Sequence, residues 1–413
     1  MSFYKTFDNG LRLVVTKIEG LLSVSAGVMV KTGSVNESDA ENGISHYIEH
    51  GLFKGTNKRT AFEISDRIDS IGAQINAFTS KELTCYYTKS TAERFEDSLE
   101  VLSDIFFNAT FDDKEMAKEK GVIIEEINMC EDTPEDLLLD LLAEGYYGKV
   151  GFGKTILGSI KNVSGFTRED VKNYMAKYYT ADNVVISIAG NVDEKKVCDL
   201  VEKYFALGFT KRKAHAQFLT KETFSNHKYK VKKIEQTHIG MAFKGLPITD
   251  NRMDAFNIAS TVLGGGMSSR LFQTIREELG LAYSVYSYPS YYKDTGVMEI
   301  YAGVNSESKK KAFDEIVKEV KKMQRDKITE QEFLRGKEQI RSSLILGQES
   351  TSSQMILYGK RLIFMDKAFD IKDRIKEIDA VTLKDVNDVI DEFYKLDQVA
   401  TATVGPTRGV LKM

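Results

Sequence analysis

"TREDVKNYMAKYYTADNVVISIAGN" (residues 167–191) and "TLKDVNDVIDEFYKLDQVATATVGP" (residues 382–406) align without a gap. Thr382 follows Thr167 by 215 residues in a chain of 413, about half its length. In that register Asp170 meets Asp385, Val171 meets Val386, Tyr179 meets Tyr394, Asp182 meets Asp397 and Gly190 meets Gly405. Each copy reads the same way physically. A threonine with an aspartate three residues on can satisfy the free N–H groups at a helix start. A helical stretch, a turn and a β-rich run ending at glycine then follow. The repeat predicts two homologous halves, each closing with a helix and a strand.

The fronts of the halves agree with this. "LSVSAGVMV" alternates apolar residues at Leu22, Val24, Ala26, Val28 and Val30, the period of a half-buried strand. "THIGMAFKGLP" plays that part in the second half, and a helical stretch follows each. In "TAFEISDRIDSIG", Thr60 and Glu63 make a capping box, Ile64, Ile68 and Ile71 an apolar stripe, and Gly72 a stop. "AQINAFTSKELTCYYTK" reads as two strands about a turn near Ser80–Glu82, and "AERFEDSLEVLSDIF" is helical again. The expected class is α+β, each half a mostly antiparallel sheet with helices packed on one face. The expected halves are 1–210 and 222–413, joined by a basic, polar linker over 208–230. His215 and His227 fall in that linker without metal-ligand spacing and are expected to be solvated.

Composition excludes several classes. A chain of 413 residues suits two or three domains. The net charge of −4 and pI near 5.9 give no footprint for nucleic acid or an anionic membrane surface. Cys85, Cys130 and Cys198 are few, odd in number and far apart, so neither a disulfide framework nor a thiolate metal site is expected. "MSFYKTFDNGLRLVV" lacks the layout of a secretion signal, and no apolar run reaches membrane-spanning length. A cytoplasmic protein without a membrane partner is expected.

Two of the five histidines stand in "SHYIEHGLFKGT" (45–56). On a helix, His46 and His50 lie one turn apart and can converge on one ion. Glu49 lies beside them, near the ion but angled aside, where a general base would stand. A catalytic zinc site usually has three protein ligands and an open place, so a third ligand is required. The helical segment around "GVIIEE" (121–126) offers Glu119, Glu125 and Glu126. Glu119 and Glu126 are two turns apart on one face, and Glu125 points about 100° away from Glu126. One carboxylate could bind the ion and another orient a histidine from behind.

HxxEH is the inverse of the HExxH order. "GISHYIEHGLFKGT" (43–56) resembles the pitrilysin and mitochondrial-processing-peptidase family of inverzincin zinc metallopeptidases, in its short-chain bacterial form. The resemblance implies Glu49 as catalytic base, His46, His50 and Glu126 as ligands of one Zn²⁺ per chain, and Glu119 in support. It likens "GAQINAFTSKELTCYY" (72–87) to an edge strand whose backbone pairs with extended substrate, which gives Asn76 and Ala77. It likens "GGGMSSRLFQTIREELGLAYSVYS" (264–287) to a glycine-rich loop with an Arg…Tyr pair, which gives Arg276 and Tyr283 as substrate-binding groups. The second half has no HxxEH and is expected to be a degenerate copy. His238, at a strand start, is expected to be a satisfied polar residue.

The resemblance implies a zinc-dependent endopeptidase that cleaves oligopeptides or unfolded segments in a closed chamber. It also implies a homodimer in which Arg276 and Tyr283 of one subunit face the zinc of the other. Two alternatives stand beside it: a processing peptidase with narrow presequence specificity, and a non-catalytic core-type assembly subunit.

Overall fold

The structure, a computed structural model, describes residues 2–209, 225–409 and 411–412. Most of the 208–230 stretch, His215 included, lies outside the described residues. The strands are β1 (Ser2–Thr6), β2 (Arg12–Lys17), β3 (Ser23–Val30), β4 (Gln74–Thr79), β5 (Thr84–Thr91) and β6 (Val184–Gly190). The second series is β7 (His227–Val231), β8 (Gln236–Lys244), β9 (Ala282–Tyr291), β10 (Gly296–Asn305) and β11 (Ala400–Gly405). The helices of the first series are α1 (Ile44–Leu52), α2 (Ala61–Ser70), α3 (Phe95–Asn108), α4 (Asp113–Asp132), α5 (Pro134–Tyr147), α6 (Ile160–Gly165), α7 (Arg168–Tyr178) and α8 (Glu194–Tyr204). Those of the second are α9 (Met253–Gly264), α10 (Lys309–Asp326), α11 (Glu330–Leu346), α12 (Thr351–Met365), α13 (Ile371–Ala380) and α14 (Leu383–Phe393).

The first sheet runs β1-β2-β6-β3-β5-β4, and every pair is antiparallel except β2 with β6. The second runs β7-β11-β8-β10-β9, and every pair is antiparallel except β7 with β11. Matching β2 to β7, β6 to β11, β3 to β8, β5 to β10 and β4 to β9 makes the two orders identical, with β1 an added edge strand of the first sheet. The repeat is therefore structural, and the class is α+β. Both capping boxes form: Thr167 with Asp170 opens α7, and Thr382 with Asp385 opens α14. The glycine closing each copy has a steric reason. A Cβ on Gly190 or Gly405 would run into Ser23 and Val24, or into Thr237, at the start of the neighbouring strand.

The core of the first sheet holds the even residues of β3, Val24, Ala26, Val28 and Val30, with Tyr47 and Ile48 of α1 and Leu99, Leu102 and Ile105 of α3. β3 is buried on both faces rather than half-buried, because α12 covers Ser25, Gly27 and Met29. Leu22 is exposed just before the strand begins, outside the stripe in which the alternation put it. In the second sheet Ile239, Met241 and Phe243 face a core shared with α9, α10 and α14. Gly240, on the opposite face, touches Leu138 and Leu142 of α5.

Helices thus also cover a second face of each sheet, and they come from the other part of the sequence. One compact unit comprises Met1–Ile127, Thr155–Leu219 and Ile345–Ile371; the other comprises Asn128–Lys154, Thr220–Leu344 and Lys372–Met413. A single division within 208–230 does not reproduce these units, because α5 and α12 change sides. On α12 the residues Met355, Tyr358, Gly359, Leu362 and Ile363 are buried, an i, i+3, i+4, i+7, i+8 stripe. Such a stripe says that a helix has an apolar partner, not which sheet supplies it. Among the described residues no helix is long and apolar enough to cross a membrane.

Candidate metal centre

The centre lies in the first unit, on α1 and α4. Helix α1 is buried along most of its length, with Ile44, Ser45, Tyr47, Ile48, Gly51 and Leu52 packed inside. Its start is fixed by a carboxyl group placed at the positive end of the helix, although burial pushes its pKa up. The buried carboxylate of Glu37 accepts from Gly43 N–H at 2.8 Å, Ser45 N–H at 2.9 Å and the Asn42 amide at 3.0 Å. Gly43 precedes the helix at φ +101°, a conformation that L side chains avoid, and a Cβ there would strike the Leu157 carbonyl.

The sequence spacing brings three side chains together. His46, His50 and Glu126 each offer one donor atom, all within 4.8 Å of one another. Glu126 Oε2 stands 3.6 Å from His46 Nε2 and 3.5 Å from His50 Nε2. Donors of a tetrahedral zinc site, with bonds of 2.0–2.1 Å, are separated by roughly 3.4 Å. Behind them, His50 Nδ1 and Glu119 Oε1 are hydrogen-bonded at 2.7 Å. With that proton on Nδ1, the lone pair on Nε2 is directed at Glu126. His46 is 6% exposed; burial first, and then the neighbouring His50, pulls its pKa down to about 3, so it is a neutral imidazole at pH 7. Two imidazole nitrogens and one carboxylate oxygen, within 4.8 Å of one another and with no hydrogen bond among them, fit a zinc ion. Glu125 is exposed, pointing away as its 100° offset requires.

Glu49 sits between the histidines on α1. Burial pushes its carboxyl up, Glu126 adding to this, while Thr79 and His50 oppose it. Thr79 Oγ1 donates to Glu49 Oε2. The motif reading did not find Thr79. The signal was two residues away: in a strand, Thr79 and Ala77 share a face, and Ala77 packs against the core that α1 helps to build. Lys54 was missed as well. Its Nζ lies 2.7 Å from Glu119 Oε2, so a carboxylate only 6% exposed has a partner on each oxygen.

Among the described residues, strand β4 has a neighbour on one side only. Ser80 N–H donates to the Leu83 carbonyl in the turn. With the regular β4–β5 register, the backbone groups of Phe78 and Asn76 therefore face β5, and those of Ala77 and Thr79 face the open edge. Asn76 reaches that edge through its side chain, whose Oδ1 accepts from Ala77 N–H at 2.8 Å.

Arg276 and Tyr283 belong to the second unit. Arg276 lies in a wide helical turn, Phe272–Glu278, with Leu279 N–H bonded back to Thr274. Its guanidinium lies 4.7 Å from the Phe272 ring centre and 5.2 Å from that of Tyr283, which is 77% exposed. His238 is paired as expected, Nδ1 lying 2.8 Å from the Tyr301 hydroxyl. His227 is not simply solvated: its Nδ1 is 2.9 Å from Thr401 Oγ1.

Residues 13–159 match the family model described as Insulinase (Peptidase family M16), and residues 165–340 match that described as Peptidase M16 inactive domain. The chain is 42% identical over 403 residues to the uncharacterized zinc protease YmxG of Bacillus subtilis, covering 97% of this chain and 98% of that one. It is 35% identical to an uncharacterized zinc protease of Rickettsia felis, covering 96% of each. Among solved structures, a protease from Helicobacter pylori superposes with a TM-score of 0.90 at 24% identity, covering 98% of this chain and 99% of that one. A peptidase M16 inactive domain from Pseudomonas fluorescens superposes with a TM-score of 0.91 at 18% identity over the whole of both chains. At such identities these two structures bear on the fold alone. From the two family models and the near full-length relatives, the chain belongs to peptidase family M16.

Proposed function

We propose that the protein is a zinc-dependent endopeptidase acting on oligopeptides or unfolded segments. The observation that carries this is the trio His46, His50 and Glu126, with donor atoms within 4.8 Å of one another and Glu126 Oε2 3.5–3.6 Å from each histidine, and a half-buried carboxyl group, Glu49, beside it. The residues that would hold the ion are those three, with Glu119 orienting His50. A bound zinc ion supplies Lewis-acid chemistry, polarising a carbonyl and acidifying water. Glu49 takes a proton from the attacking water and returns it to the leaving amine; burial raises its basicity toward that task. Thr79 holds one oxygen of Glu49 and so leaves the other for the proton.

The open edge of β4 receives substrate as an added strand, through the backbone groups of Ala77 and Thr79 and the side chain of Asn76. Main-chain pairing needs an extended segment, which favours unfolded peptide over folded protein. Arg276 and Tyr283 are assigned to substrate binding, in a homodimer whose subunits complete each other's sites.

Glu49→Gln is the test. The variant should retain about one zinc per chain and lose hydrolysis of an internally quenched peptide. Wild-type cleavage by Glu49→Gln would refute the base. A wild-type protein that purifies without stoichiometric zinc would instead favour a non-catalytic assembly subunit.

A further inference from the structure

The face of the first sheet opposite its main core is covered by α12 over β2, β6 and β3, where Ser25 and Ser187 hydrogen-bond to Thr351 and to the Met355 carbonyl. Toward the free edge that face continues as Tyr87 on β5 and Phe78 on β4, their ring centres 6.4 Å apart. Lys360 on α12 reaches this place, its Nζ 6.0 Å from the centre of the Phe78 ring. The height of α12 is set closely, because a Cβ on Gly359 would lie 2.5 Å from Met29 Sδ and 2.9 Å from Ser187 Cβ. The lysine stem therefore starts from a fixed point.

Lys360 is half-buried, and no carboxylate among the described residues pairs with it. Most half-buried cations have an anion beside them, because losing water without one is costly. Burial accordingly pulls the Lys360 ammonium below the usual lysine value, and Cys85 alone opposes the shift. Cys85 lies directly across from Phe78 in the β4–β5 pair and is within electrostatic range of both Lys360 and Glu49. The uncommitted charge thus sits at the same end of the sheet as the proposed base.

A peptide added to β4 bonds to Ala77 and Thr79, so its residue opposite Phe78 forms the non-bonded kind of pair. Side chains in such pairs stand about 4.5–5.5 Å apart at Cβ. On this geometry we propose that Lys360, with Phe78 and Tyr87, forms a subsite that takes a carboxylate of the substrate peptide. Two sources have that chemistry: an aspartate or glutamate side chain opposite Phe78, and the peptide's own C-terminus. The subsite rests on the peptidase reading above.

The experiment uses full-length protein and one neutral quenched peptide. Glutamate, glutamine or lysine is placed in turn at each position around the scissile bond, and the C-terminus is made free or amidated. One position, or the free terminus, should favour the carboxylate by about tenfold in kcat/KM, the size of one charged hydrogen bond. Lys360→Arg should keep the preference, Lys360→Met should level it, and Lys360→Glu should invert it toward lysine. Far-UV circular dichroism and zinc content separate these effects from misfolding. The position of the preference tells a side-chain carboxylate from a terminal one. Cleavage of the neutral parent tests the peptidase reading by itself. If the parent is not cut, binding of the same peptides by fluorescence anisotropy gives the preference directly. Equal handling of glutamate and glutamine at every position and of both termini, or a preference unaltered in Lys360→Glu, overturns the subsite.

Discussion

Lys54→Met and Glu119→Gln, singly and together, examine how the metal centre is braced. Glu119 is 6% exposed and gives one oxygen to each neighbour, Oε1 to His50 Nδ1 and Oε2 to Lys54 Nζ, both at 2.7 Å. Methionine at 54 keeps most of the stem and deletes the charge, leaving Oε2 buried without a partner. An unsatisfied buried acceptor costs about 1–3 kcal/mol. The Lys54 side chain is 29% exposed, so water recovers part, and about 1–2 kcal/mol is expected. The freed carboxylate can swing, and the His50 ring loses its fixed aim. Partners of this kind are worth about 10- to 100-fold in metal affinity. Glu119→Gln should weaken zinc similarly for another reason: if its amide oxygen accepts from Nδ1–H, its NH₂ faces the Lys54 ammonium, donor against donor. The double variant removes that conflict, so its loss should fall short of the sum of the singles by about 1 kcal/mol. Zinc dissociation constants from competition with a chromophoric chelator at pH 7.5 read the affinity, and urea unfolding of the zinc-free proteins reads the stability. Wild-type zinc affinity in Lys54→Met, or strictly additive losses, would refute the brace.

Three further outcomes are expected. Thr79→Val should lower kcat about tenfold with KM and zinc content little changed, because only the hydrogen bond to Glu49 is lost, and Thr79→Ser should retain the rate; steady-state kinetics decide this. Gly359→Val should destabilise the first unit by about 1–3 kcal/mol in urea unfolding, since its Cβ meets Met29 and Ser187, whereas Gly347→Ala, with open space around it, should change little. Burial raises the Glu332 carboxyl, but Arg270, at 2.7 and 2.8 Å, and the Thr329 cap override this and hold it down at about 2. A depressed carboxyl adds stability that is fully present above about pH 4.5 and is lost as pH falls toward 2. Discounted for screening, Glu332→Gln should cost about 1–2 kcal/mol at pH 7 and nearly nothing at pH 2, measured by urea titration at each pH.

What was legible in the sequence was what depends on neighbours along the chain. The capping boxes of Thr60, Thr167 and Thr382 and the one-turn spacing of His46 and His50 are local properties, and all of them appear in the structure. The β4–β5 hairpin was readable from its alternation and turn. The contacts that fix the site were less legible, because they join distant segments with no shared period. Glu37 holds the start of α1, Lys54 meets Glu119 on α4, and Thr79 meets Glu49 from the next hairpin. The covering of β3 by α12 also escaped: Ser25, Gly27 and Met29 look like a solvent face until a helix from over 320 residues away is laid on them.

That crossing of α5 and α12 bears on descent. The two helices hold equivalent places in the repeat, yet each lies against the sheet of the opposite series. A half-length ancestor with this element order would have had to lend its helix to a second molecule and borrow one back. Tandem duplication would then have tied an existing exchange between two identical chains into a single polypeptide.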